Sequence, residues 1–168
     1  MRTHSIRPHL LTTTTVAAAL LAATSSTRAQ TTNWTGTISS DWFNPGNWTN
    51  GVPVGAPGAS ANIDTETPFQ GTRVAFPGTA SGLLTIGVSG KGFLTIANGG
   101  TVSSVVGSVG SLPGSLGNVI VTGAGSTWTS NGGLIVGSFG TGELSIVSGG
   151  TLSSSGFLAI GNPARPRS

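Results

Sequence analysis

This chain offers chemistry few residues to work with. Both histidines, His4 and His9, lie at the extreme N-terminus, and there is no cysteine. From position 10 onward the usual general base, thiol nucleophile and transition-metal ligands are therefore missing. Serines are abundant, but none has a histidine to activate it. A Ser–Lys pair on Lys91 is the remaining nucleophilic arrangement, yet Thr141 holds the equivalent place fifty residues on, so Lys91 is expected to be a solvated turn residue. Beyond the first thirty residues the acids are Asp41, Asp64, Glu66 and Glu143. Asp64 and Glu66 lie two apart, on one side of the chain if that segment is extended. They are the one candidate for the pair of carboxyl groups that glycosidic cleavage needs, although two solvated acids ahead of the repeats is the expected reading. Glu143 matches Phe93 of the earlier unit and is not a recurring acid.

Two further motifs dissolve on inspection. Gly87-Val-Ser-Gly-Lys-Gly92 lacks the spacing of a phosphate loop and the Ser/Thr that should follow its lysine. Calcium-binding β-helix repeats place an aspartate in each turn, whereas the turns here read Gly90-Lys-Gly92 and Gly140-Thr-Gly142. The expectation is a non-enzyme with no catalytic, cofactor-binding or metal-binding residues and no cofactor. Trp34, Trp42 and Trp48 could form an aromatic platform for a sugar. Their spacings of eight and six instead favour a single face that covers the open first coil of a stacked fold. Asn33-Trp-Thr35 and Asn47-Trp-Thr49 match glycosylation acceptors, which matter only in a eukaryotic secretory host.

The elements that must carry these residues are repeats. GVSGKGFLTIANGGTVSS, residues 87–104, returns fifty positions later as GSFGTGELSIVSGGTLSS, residues 137–154. The unit divides again near 25 residues: Leu94-Thr95-Ile96, Val119-Ile120-Val121 and Leu144-Ser145-Ile146 succeed one another at that offset. Self-similarity at a fixed period marks an architecture in which each unit buries its apolar face only against its neighbours. A hairpin meander has no reason to keep the period. A parallel β-helix does, because residues one coil apart lie about 4.8 Å above each other. The expected fold is an all-β, right-handed parallel β-helix of about three coils with an N-terminal Trp-rich cap. Its inward ladders would be Leu94–Val119–Leu144, Ile96–Val121–Ile146 and Val102–Trp128–Leu152. Leu158-Ala-Ile160 would form the last strand, with nothing stacked upon it.

Residues 1–29 have the layout of a secretory signal peptide: a basic start with Arg2 and Arg7, an apolar run over 10–23 too short to span a membrane, then Thr27-Arg28-Ala29. Residues 30–80 are expected to be a Trp/Pro-rich capping segment, 81–162 the Gly-rich β-helical repeats and 163–168 a short basic tail. The formal charge of +3 belongs to the leader and the tail. From Gln30 onward, Arg73, Lys91, Arg165 and Arg167 balance the acids. No basic patch remains for nucleic acid or acidic lipid, and no membrane span is expected in the mature chain. The open end of a short stack invites self-association, against which Pro163, Arg165, Pro166 and Arg167 are the expected defence.

IGVSGKGFLTIANGGTVSS, VIVTGAGSTWTS and VGSFGTGELSIVSGGTLSS resemble the Gly-rich repeat shared by bacterial type V secreted proteins (autotransporters) and PEP-CTERM surface proteins. The opening NWTGTISSDWFNPGNWTNGVPVGAPGASANID resembles the segment that commonly precedes such repeats. The resemblance implies a β-helical passenger, secreted or at the outer-membrane surface of a Gram-negative bacterium, and it brings no catalytic residues. A C-terminal barrel would need many alternating strands of about ten residues, and these are not seen here. Nor is there a Pro-Glu-Pro motif followed by an apolar helix, so a truncated member is expected. The functional expectation is a non-catalytic exported repeat protein for adhesion or surface display, with a carbohydrate or host surface as its partner. The alternative is a carbohydrate-binding module or a polysaccharide-active β-helix enzyme.

Overall fold

The computed structural model describes residues 30–53, 59–65, 71–77 and 79–161, the side chains of 79–81 excepted. The expected leader, Glu66 and the basic tail lie outside the described residues. Eleven strands form two sheets. The first stacks β1 (Thr31–Asn33), β2 (Ser60–Ile63), β4 (Thr79–Ile86), β6 (Thr101–Val109) and β8 (Thr127–Val136), with β10 (Thr151–Ser154) and β11 (Phe157–Ile160) both on β8. The second stacks β3 (Thr72–Val74), β5 (Lys91–Ile96), β7 (Leu116–Thr122) and β9 (Thr141–Val147). Every strand pair is parallel, and the chain passes from one sheet to the other on each turn. This is the β-solenoid that the 25-residue period requires, and a meander is excluded.

The predicted ladders form in register. Leu94 pairs with Val119 and Val119 with Leu144, while Ile96, Val121 and Ile146 follow beside them. Val102, Trp128 and Leu152 make the ladder on the first sheet. Alternation along each strand sends these side chains inward and Thr95, Ile120 and Ser145 outward. Each fully buried aliphatic contributes roughly 1.5–3 kcal/mol. Another inward column runs Ile63–Ile86–Val109–Val136–Ile160. After each of its last four members the next residue turns with positive φ, at Gly87 (73°), Gly110 (71°), Gly137 (74°) and Gly161 (87°). A Cβ at Gly110 would lie 2.2 Å from the Thr141 carbonyl oxygen of the next coil, so both the torsion and the space demand glycine.

Two expectations need correction. The stack has about five turns rather than three. Thr72 lies under Leu94 and Val74 under Ile96, while Ile63 lies under Ile86. The segment assigned to the cap thus supplies rungs of its own, and the boundary at 81 falls inside β4. These lower coils escaped notice because their residue types differ: Thr72 stands below Leu94 and Val119, and Asp64 replaces the glycine that follows the later members of the Ile63 column. The second correction concerns β9. Leu94, Val119, Ile96 and Val121 are buried, but Leu144 is half-buried and Ile146 is 43% exposed. Among the described residues no further coil lies over the inner face of that rung.

Candidate functional site

The three N-terminal tryptophans come together, though not as a binding platform. Trp34 and Trp42 each meet Trp48 edge to face, with centroids 5.1 and 4.8 Å apart. All three are buried and belong to the same apolar core as Ile63 and Val74. The Trp48 indole Nε1 donates to the Trp42 carbonyl at 2.8 Å, and Trp34 bridges Trp48 antiparallel. Edge-to-face geometry suits the aromatic quadrupoles, and it leaves no ring face open to a ligand. The tryptophans close the first coil.

Asn47 makes that closure possible and was not recognised as structural from the sequence. Its side chain is fully buried and accepts from the Ile38 and Ser39 amides at 3.0 and 3.1 Å. Its Nδ2 donates to Ser39 Oγ and to the Asp41 carbonyl. A single 3-10 turn, Pro45–Asn47, delivers it, with Asn44 accepting from the Gly46 amide as the N-cap. Buried polar groups need such partners, and the folded chain leaves this asparagine no freedom to accept a glycan.

The described acids are likewise occupied by structure. Asp64 follows Ile63 at the position where later coils carry Gly87, Gly110 and Gly137. Its carboxylate accepts from the Val88, Ser89 and Gly90 amides at 2.6, 3.0 and 2.8 Å, and from Ser89 Oγ at 3.0 Å. One coil further, backbone carbonyls take over this role: Ser111 and Leu112 donate to the Gly87 and Val88 carbonyls. Asp64 therefore stands in for a missing carbonyl and holds the first Gly-rich turn. Asp41 accepts from the Phe43 amide, and Glu143 accepts from Asn118 Nδ2 at 2.6 Å. Lys91 stands exposed at the start of β5. Among the described residues no three of His, Cys, Asp and Glu gather as a metal cluster would require.

The outer wall also carries a concavity. An open groove of about 390 Å³ runs beside the second sheet, lined by Ser40, Arg73, Thr95, Asn98 and Thr122 among others. Arg73 projects from the middle of β3 and is exposed, and Thr95 pairs with it one rung up. The lining residues carry one cation, four hydroxyls (Ser40, Thr72, Thr95 and Thr122) and a carboxamide. Such a set can hydrogen-bond a polar ligand, but it contains no general acid and no base.

Fold and site together define a parallel β-solenoid, capped by tryptophans at one end, in which the side chains of Asn47 and Asp64 hold turns. Compared with protein-family models, curated proteins and solved structures, the chain finds no match.

Proposed function

We propose that this chain is a non-catalytic, exported repeat module of the passenger type, which acts through its outer surface in adhesion or surface display. The observation that carries the reading is the commitment of its acids: Asp64, the best catalytic candidate, is fully engaged in holding the 88–90 turn. Reactive side chains are replaced on the outer wall by rows of Ser, Thr and Asn, a surface suited to display. Export rests on the basic start and the short apolar run of residues 1–29.

The ligand chemistry favoured by the groove beside Arg73 is polar and hydroxyl-bearing, as in a carbohydrate or a glycosylated host surface. Support for sugar recognition comes from this groove, because the tryptophans are buried. The test is direct. The purified full chain should leave a panel of polysaccharides and esters uncleaved, and D64A should lower stability by about 1–3 kcal/mol through its orphaned amides. Reproducible turnover that D64N abolishes without loss of stability would overturn the reading and make this a polysaccharide-active enzyme.

A further inference from the structure

Asparagine followed by glycine is a self-reactive pairing. The glycine nitrogen can attack the asparagine side-chain Cγ, because no Cβ stands in its way. Three such pairs occur in this chain, Asn50-Gly51, Asn98-Gly99 and Asn131-Gly132, and the fold treats them differently.

Two are tied down. Asn50 Nδ2 donates to the Thr31 carbonyl at 2.8 Å, and Thr32 Oγ1 donates to the Gly51 carbonyl at 3.0 Å. The side chain and the peptide that follows it are thus both pinned to β1. At the second pair the attacking nitrogen itself is engaged: the Gly99 amide donates to Ser126 Oγ at 3.1 Å, and Ser126 is fully buried. The Gly100 amide donates to the Ala97 carbonyl at 2.9 Å and closes the turn around them.

The third pair lies in a β-bulge. Ser104 pairs with Ser130 and Val106 with Gly133, so Asn131 and Gly132 together face Val105. On the other side β10 pairs with β8 as far as Ser130, and β11 resumes at Gly133, which leaves 131–132 outside both ladders. Bulges re-aim side chains in this way. Asn131 is exposed, and its Nδ2 reaches Ser103 Oγ only at 3.5 Å, the limit of a hydrogen bond. Its main-chain carbonyl accepts from Ser155 Oγ at 2.7 Å. A donor on that oxygen polarises the peptide and makes the Gly132 N–H more acidic.

We infer that Asn131 is a site of spontaneous self-modification, promoted by Ser155 through the Asn131–Gly132 peptide. Hydroxide removes the Gly132 amide proton, and the nitrogen bonds to Asn131 Cγ. The Cγ–Nδ2 bond breaks, and the leaving nitrogen takes a proton from water and departs as ammonia. Water then opens the succinimide at either carbonyl, giving aspartate or isoaspartate. Strands β6, β8 and β10 contain no charged residue, so the product sets a carboxylate on a neutral stretch of the outer wall.

Incubation of the full chain at mildly alkaline pH tests this, with conversion at each asparagine followed by peptide mass spectrometry and isoaspartate by enzymatic methylation. Asn131 should convert about tenfold faster than Asn50 or Asn98, each of which must first give up a hydrogen bond. In urea the three pairs should react at similar rates, because the fold no longer sorts them. S155A should slow conversion at Asn131 severalfold and S155T should restore it, whereas S126A should speed conversion at Asn98. Equal rates in the folded chain, or a lead by Asn50 or Asn98, would overturn the inference. So would a ranking that persists unchanged in urea, and an S155A rate equal to that of the unaltered chain would remove Ser155 from it.

Discussion

Whether a buried hydroxyl stabilises this protein depends on its partner and not on its depth. Thr72 and Ser126 are both almost fully buried. Ser126 Oγ accepts from the Gly99 amide at 3.1 Å, so it satisfies a turn that the chain must make. Thr72 Oγ1 lies under Leu94 in an otherwise aliphatic column and has no partner. An unsatisfied buried hydroxyl costs about 1–3 kcal/mol, whereas a satisfied one is favourable by about 1 kcal/mol. T72V should therefore raise stability by about 1 kcal/mol and S126A should lower it by about 1–2 kcal/mol, as read from urea denaturation midpoints. Equal signs for the two changes would show that burial alone governs these positions.

At the scale of the strands, the first sheet is balanced by one exchange of volume. The column Leu84–Gly107–Leu134 has a glycine where its neighbours have leucine. The missing side chain is replaced by the ring of Trp128, which belongs to the adjacent Val102–Trp128–Leu152 column. A Cβ on Gly107 would lie 2.6 Å from Trp128 Cζ2 and 2.7 Å from Leu134 Cδ1. The ring is held in place by its Nε1, which donates to Ser104 Oγ at 3.1 Å. G107A should thus overpack the coil and cost about 1–3 kcal/mol, and W128L should leave a cavity costing about 2–4 kcal/mol. In the double variant the new methyl enters space the ring has vacated. The two costs should fall short of additivity by at least about 1 kcal/mol in a double-mutant cycle. Strict additivity would mean that the two residues do not share this volume.

The whole molecule is close to one-dimensional, since each coil touches chiefly the coils directly above and below it. Stability in such a stack is set by neighbouring interfaces and not by a central core. The tryptophans at one end are buried, whereas among the described residues the last rung is covered on one side only. Amide exchange should be fastest in β9, β10 and β11 and slowest in the coils from β4 to β8. Uniform exchange along the chain would indicate one cooperative unit instead.

The sequence by itself determined the architecture, because a stacked fold places equivalent residues directly over one another and so writes its period into the chain. Leu94, Val119 and Leu144 recur at 25 because they touch, and the Ile86, Val109, Val136 and Ile160 series recurs with its glycines because each closes the same turn. Where the residue types change, with Thr72 below Leu94 and Asp64 in place of the glycine after Ile63, periodicity fell silent and only the register of the folded strands revealed the extra turns. Tertiary structure alone also decided the roles of individual residues. Asp64 reads along the chain as a solvated acid or at most half of a pair with Glu66, but the fold brings the 88–90 amides onto the Asp64 carboxylate, and Asn47 closes a corner whose contacts are spread over ten positions. Hydrogen-bond partners are settled by proximity in space, and no local pattern encodes them.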